Sequence, residues 1–339
     1  MSAEIFENRQ NKLKFVITEQ GLDGMLISRL SNVRYICGFT GSAGSCIITQ
    51  NDNYFITDGR YMEQSKEEVK GFERFIDYGS HIEIAKKNNL IPKGLKLAIE
   101  SDFLSVALFN QLIELFPDVK WESTKMILED IASVKDHSEL EALRTAVEIT
   151  DNVFDEVLQL LKIGIAEKEI ALELAMRYRK YGDGEAYPPI VASGPNSALP
   201  HAQPGERKLK LGDFVVVDAA AKYAGYHADM TRTVVIGEAT EKHHEIYELV
   251  KKSQQAGIDI AQAGVACKEV DDATRSIIAD AGYGDKFIHS TGHGIGLEIH
   301  TYPHRISQQS TEILKENNVI TIEPGIYLTG WGGVRIEDD

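Results

Sequence analysis

Basic residues are the scarce class in this chain: 36 Lys and Arg stand against 52 Asp and Glu, a formal net charge of −16 over 339 residues. That deficit excludes a nucleic-acid-binding surface, because phosphate backbones are held by concentrated positive charge. Cysteine is scarcer still. Cys37, Cys46 and Cys267 are scattered and form no C-x-x-C pair, which excludes a disulfide framework and a zinc knuckle. They read as small buried apolar residues in a reducing compartment. Long apolar runs are missing: nothing approaches the roughly 18 residues of a membrane helix. The opening MSAEIFENRQNKLKF has mixed charge and no signal-peptide core. A cytoplasmic protein that binds neither membrane nor nucleic acid is the expectation. No short internal repeat or low-complexity tract is evident.

What is present suits a globular protein of two domains. Apolar residues make up 43% and charged residues 26% of the chain, and its length exceeds one typical domain. Residues 4–20 carry a helical apolar stripe, and GMLISRL, CIIT, NYFIT and KLAIE read as short strands between Gly, Asn and Asp turns. This predicts an α/β accessory domain over residues 1–126. From Asp136, with Glu139 three residues on, a capping-box start leads into a long amphipathic helix. Residues 127–339 are expected to form the second domain, with helices over about 166–181, 241–262 and 267–281. Its predicted strands are FVVVDAA, MTRTVVIG, VITIE and GVRIE. Helices and strands mix throughout, so the expected class is α+β.

Acids cluster at the ends of those strands. A hairpin centred between Tyr223 and Ala224 would set Asp218 directly opposite Asp229; a second, centred on Gly330, would set Glu323 opposite Glu337. Cross-strand partners are roughly 5 Å apart, and carboxylates that close repel unless a cation intervenes. Four in one place need a compensating charge of about +4, which two divalent ions supply. An imidazole among carboxylates favours Mn²⁺, Co²⁺, Fe²⁺ or Zn²⁺ over Ca²⁺. His293, between Gly292 and Gly294, is one imidazole candidate; His300 and His201 also lie in Gly- and Pro-rich segments. His81, His137, His243 and His244 lack such context and read as surface residues. A dinuclear centre of this kind suits hydrolysis.

The segments DAAAKYAGYHADMTRT, HSTGHGIGLEIH, TIEPGIY and GGVRIEDD, in that order, resemble the pita-bread metallopeptidase family of methionine aminopeptidases, Xaa-Pro aminopeptidases and prolidases. NVRYICGFTGS and TDGRYMEQ look like the creatinase-like N-terminal domain of its proline-specific branch. The resemblance implies a pita-bread catalytic domain that hydrolyses the bond between an N-terminal residue and proline, as an Xaa-Pro aminopeptidase or dipeptidase. It implies two divalent ions, Mn²⁺ first and Co²⁺, Zn²⁺ or Fe²⁺ as alternatives, on Asp218, Asp229, His293, Glu323 and Glu337. Asp229 and Glu337 would bridge both ions, and Glu323 would also accept the attacking water's proton. His201 and His300 would serve substrate chemistry, Tyr187 would lie near the substrate's side-chain pocket, and Arg335 could hold the Glu337 carboxylate. The family often has Glu after this last His and Arg at 304; here they are Thr301 and His304, with Arg305 adjacent. His304 is thus the expected substrate contact. The chain also stops two residues after Glu337, sooner than relatives usually do. A homodimer is a further implication. The alternatives are a non-catalytic peptidase-like binding module and a metal-independent creatinase-like amidinohydrolase.

Overall fold

The computed structural model describes residues 2–339, which divide into two compact units, one ending at Ala132 and the other beginning at Ser133. Among the described residues no helix is long and apolar enough to cross a membrane.

The first unit holds β1 (Gly24–Ile27), β2 (Ser45–Thr49), β3 (Asn53–Thr57), β4 (Glu73–Ile76), β5 (Lys96–Glu100) and β6 (Lys120–Thr124) in one sheet, ordered β4-β3-β2-β1-β5-β6. The β1–β2–β3 meander is antiparallel, and the outer pairings are parallel. Helices α1 (Ala3–Glu19), α2 (Leu30–Cys37), α3 (Met62–Glu68), α4 (His81–Lys87), α5 (Val106–Leu115) and α6 (Ile127–Ser133) complete it. Leu26, Ile47, Ile56, Leu97, Ile99 and Leu112 form much of its core. The strands and first helix anticipated from periodicity are all present. The three cysteines are buried and form no disulfide, with Cys46 Sγ 3.8 Å from Cys37 Sγ. His81, read as a surface residue, is instead half-buried, its Nδ1 2.8 Å from Ser45 Oγ.

Glu100, at the end of β5, is buried. Its carboxylate accepts from Ser28 N at 2.6 Å, Arg29 N at 2.8 Å, Ser28 Oγ at 3.1 Å and Asn32 Nδ2 at 2.7 Å. It fixes the approach to α2 by binding the N–H groups of Ser28 and of the N-cap residue Arg29, and it holds the side chain of Asn32 in the first turn.

The second unit opens with α7 (His137–Leu158), whose Asp136–Glu139 capping box forms as expected. Then come α8 (Glu167–Tyr181), β7 (Gly184–Glu185), β8 (Ile190–Ser193), β9 (Phe214–Asp218), β10 (Ala221–Tyr223), β11 (Tyr226–His227) and β12 (Thr231–Val235). The chain finishes with α9 (Glu241–Ile260), α10 (Cys267–Asp280), β13 (Gly292–Gly294), β14 (Thr301–Ile306), β15 (Gly325–Leu328) and β16 (Gly332–Arg335). Strands β8, β9 and β12 form one antiparallel sheet, and Val191, Val215 and Val217 pack from it onto Ile170 and Leu174 of α8.

A short internal repeat, contrary to expectation, is present in this unit: four of seven residues match between its two copies. The segment GIAEKEI from Gly164 and the segment GVACKEV from Gly264 each turn through a left-handed glycine, φ 94° and 93°, into α8 and α10. In both, the alanine at the helix start donates its N–H to a glutamate three residues on, Ala166 to Glu169 and Ala266 to Glu269. In both, the glycine N–H bonds a leucine carbonyl, that of Leu209 or Leu314. The two helical pairs, α7–α8 and α9–α10, therefore share one local design one hundred residues apart.

His243 corrects another expectation. It is buried at the start of α9, where its Nδ1 accepts from Thr240 N at 3.0 Å and its ring stacks 5.2 Å from Trp331. A helix-start histidine can act as a capping acceptor, so exposure does not follow from a polar neighbourhood.

Candidate metal centre

The first acid-bearing hairpin turns at Ala224–Gly225, both at positive φ, 49° and 82°. Tyr223 pairs with Tyr226 and Asp218 with Thr231, so Asp229 lies diagonal to Asp218, two positions from the expected register. An even shift keeps both side chains on one face of the ladder. Tyr187 Oη confirms this: it lies 2.6 Å from Asp218 Oδ1 and 2.6 Å from Asp229 Oδ1. Its single hydrogen can serve only one of them at a time.

The second hairpin has the anticipated register. Gly325 pairs with Arg335 and Ile322 with Asp338, about a turn at Gly330 with φ 82°. Regular strand, however, begins only at Gly325; VITIE pairs through isolated bridges, Gly294 with Ile320 and Ile322 with Asp338. Pro324 has no N–H to continue the ladder. The two hairpins join where Thr231 bridges Glu337, with Glu337 N donating to Thr231 O at 3.1 Å.

His293 reaches the acids because backbone surrounds it. His293 N donates to Thr321 Oγ1 at 3.1 Å, and Thr321 N donates to His293 O at 2.8 Å. A Cβ on Gly292 would meet Thr321 O at 1.8 Å, and one on Gly294 would meet Tyr302 O at 2.6 Å. Only glycine fits on either side. His293 Nε2 then lies 3.5 Å from Asp229 Oδ2 and 3.7 Å from Glu323 Oε1. Asp229, His293 and Glu337 offer ligand atoms all within 4.8 Å of one another, and all three are buried.

Arg335 serves a different acid from the one expected. Its Nη2 donates to Asp218 Oδ2 at 2.5 Å, and it reaches Glu337 through Thr231, which accepts from Arg335 Nε at 3.1 Å and donates to Glu337 Oε2 at 2.6 Å. Its Nη1 bonds Tyr327 Oη at 2.9 Å and Pro200 O at 3.2 Å, next to His201. Tyr327 Oη in turn lies 2.8 Å from His289 Nε2. Neither Tyr327 nor His289 was singled out from the sequence, although both sit inside the quoted motifs; their link spans 38 residues and leaves no periodic trace.

The electrostatics test whether cations fit. Burial raises the Asp218 carboxyl above its ordinary value, with Asp229 adding to the effect. Burial pushes Glu323 up to about 8, and lifts Glu337 well above the carboxylate range, its acidic neighbours reinforcing it. Burial would lower the His293 imidazole, but bonding to Asp229 and the charge of Glu323 outweigh this and raise it. Burial lowers His300, as does the neighbouring His293. Burial, with Arg335 nearby, brings His289 down to about 4. Protons thus stand in for missing positive charge: one guanidinium cannot balance four clustered carboxylates. An oxygen-rich set with one imidazole fits divalent metal by both charge and donor chemistry.

The cluster opens into a cleft of about 1080 Å³ lined by Tyr187, His201, His300, His304 and Arg305 among others. The His300 ring is centred 4.2 Å from that of His293. The structure thus gathers into one cleft every residue singled out from the sequence.

Comparison with known proteins fits this geometry. The family model described as metallopeptidase family M24 matches residues 141–339, and the creatinase/prolidase N-terminal domain matches residues 9–134. An Xaa-Pro dipeptidase of Pyrococcus furiosus is 37% identical over 98% of this chain and 94% of its own length. Among solved structures, an Xaa-Pro dipeptidase from Bacillus anthracis superposes with a TM-score of 0.94 at 38% identity, covering 98% of this chain and 94% of that one. An X-Pro aminopeptidase from Thermotoga maritima gives a TM-score of 0.87 at 40% identity, covering 94% of this chain and 92% of that one. An α+β chain with a creatinase-like N-terminal domain and a pita-bread C-terminal domain, it belongs to metallopeptidase family M24.

Proposed function

We propose that this chain hydrolyses the peptide bond between an N-terminal residue and proline, as an Xaa-Pro aminopeptidase or dipeptidase. The observation that carries this is the convergence of four carboxylates and His293 at the floor of a cleft that also holds His201 and His300. Relatives named for this activity support the choice of substrate. Asp218, Asp229, His293, Glu323 and Glu337 would hold two divalent ions, Mn²⁺ first. When bound, these lower the pKa of water and polarise the scissile carbonyl.

The chain's own groups do the rest. Glu323 is placed to take the attacking water's proton. His300 lies beside His293 and opens on the cleft, positioned to donate to the developing oxyanion. His201 is assigned to the leaving-group side. Arg335 holds Asp218 in place, and Tyr187 bridges two of the ligands. His304, with Arg305 beside it, lines the cleft where the far end of a peptide would lie. A cytoplasmic homodimer, with residues 127–339 as its catalytic part, completes the reading; light scattering on the purified chain tests the dimer.

Incubating the Mn²⁺-loaded protein with Ala-Pro and Ala-Pro-Ala separates the two activities. Cleavage of the dipeptide alone means dipeptidase; cleavage of the tripeptide means aminopeptidase. With metal confirmed bound by elemental analysis, cleavage of neither peptide overturns the proposal.

A further inference from the structure

Glu167 opens α8, is wholly buried and lies outside the residues that line the cleft. Its Oε1 accepts from Ser193 N at 2.8 Å, Ser193 Oγ at 2.7 Å and Asn196 Nδ2 at 3.1 Å. Its Oε2 accepts from Gly205 N at 3.2 Å and Asn196 Nδ2 at 3.3 Å. Ser193 ends β8, and Gly205 lies beyond the turn-rich segment that brings His201 to the cleft. One carboxylate therefore ties both ends of the segment that presents His201. The charge is supported by Arg207, whose Nη1 reaches Ser193 Oγ at 2.5 Å while it pairs with Asp213.

The repeat within this unit supplies an internal control. The position equivalent to Glu167 in the second helical pair is Cys267, equally buried. Backbone geometry matches: Glu167 N donates to Arg207 O at 3.0 Å, and Cys267 N donates to Glu312 O at 2.9 Å. The helix start thus forms with a small neutral side chain, and the carboxylate has a different purpose. Burying it is costly unless all its lone pairs are used, and here they are used on the loop.

We propose that Glu167 is a positioning residue for His201, acting through the 193–205 segment it closes; this rests on the role assigned to His201 above. Arg335, donating to Pro200 O, fixes the same segment near its tip. Glutamine cannot replace Glu167, because whichever way its amide turned, the NH₂ would face a backbone donor, Ser193 N or Gly205 N.

The test uses the full metal-loaded chain carrying E167Q, H201A or both. Hydrogen exchange without substrate is expected to speed up at least about tenfold across 194–205 in E167Q, with α9 and α10 unchanged. With Ala-Pro or Ala-Pro-Ala, kcat is expected to fall about 10- to 100-fold at near-constant KM and unchanged metal content. In the H201A background the same substitution should cost less than about twofold, since its effect passes through His201. Unchanged exchange, or an equal kinetic cost in both backgrounds, overturns the proposal. Should the chain cleave neither peptide, the exchange result alone decides. Should E167Q fail to fold, E167D serves instead: its shorter carboxylate spans one end only, and wild-type exchange in it overturns the proposal.

Discussion

Two buried acids, Glu100 in the first unit and Glu337 in the second, are held above ordinary carboxylate values chiefly by burial. Their surroundings are opposite. Glu100 is wrapped by backbone and side-chain donors at the start of α2. Glu337 has one hydroxyl donor, Thr231, and faces Asp229, Glu323 and Asp218. Burial alone therefore says little about function. An acid matched by neutral donors holds a piece of backbone in place, whereas an acid matched by other acids is waiting for a cation.

The sharpest way to break this contrast is to remove one acid from each region. Glu337→Ala is expected to lower kcat/KM on a cleavable proline peptide about a thousandfold or more, with metal content falling alongside. In metal-free protein the same change should raise the melting temperature at neutral pH, because folding no longer has to bury and protonate that carboxyl. Glu100→Ala should instead cost about 2–4 kcal/mol of stability in a denaturant titration, leaving the Ser28 and Arg29 N–H groups and the Asn32 amide without this acceptor, with metal content unchanged. Equal loss of metal in both variants would erase the distinction.

Lys135 extends the comparison to a buried cation. Burial lowers its ammonium to about 8 from 10.5, despite nearby Glu139. Between those values the unfolded chain holds a proton that the folded chain has released, so stability rises with pH across about 8 to 10.5. The gain is at most about 3 kcal/mol and is lost as pH falls through 8. Lys135→Met should flatten that slope, read from urea midpoints at successive pH values. The smallest effect belongs to His243→Ala: losing the stack on Trp331 and the acceptor for Thr240 N should cost about 1–2 kcal/mol in the same titration.

Much of this contrast was legible in the residues themselves, and the limits are instructive. The second hairpin's register followed from its glycines, since Gly330 takes the left-handed turn. The first was misplaced by two because Ala224 also adopts positive φ, which an alanine rarely does. Both acids still shared a face, since side chains alternate with a period of two. Arg335 was expected to hold Glu337, its neighbour along the strand, but its length carries it across the ladder to Asp218. Tyr327 and His289 were missed because hydrogen bonds between distant segments follow no spacing rule. The helical repeat is written in four shared residues of seven, including the glutamate that caps each helix, but the segment is too short to stand out before glycine φ and backbone pairing show that both copies fold alike.

Gly292, Gly294 and Gly333 bear on how this site could be altered by design. A Cβ at Gly333 would meet Ser197 O at 2.3 Å, as close a conflict as those on either side of His293. Three independent backbones thus pass where side chains would be, and a library that varies these positions would be filled with misfolded or metal-poor members. Diversity belongs at Gln203, Gln308 and Gln309, residues that also line the cleft. Selection for new peptide lengths can act there while the metal-binding floor is left untouched.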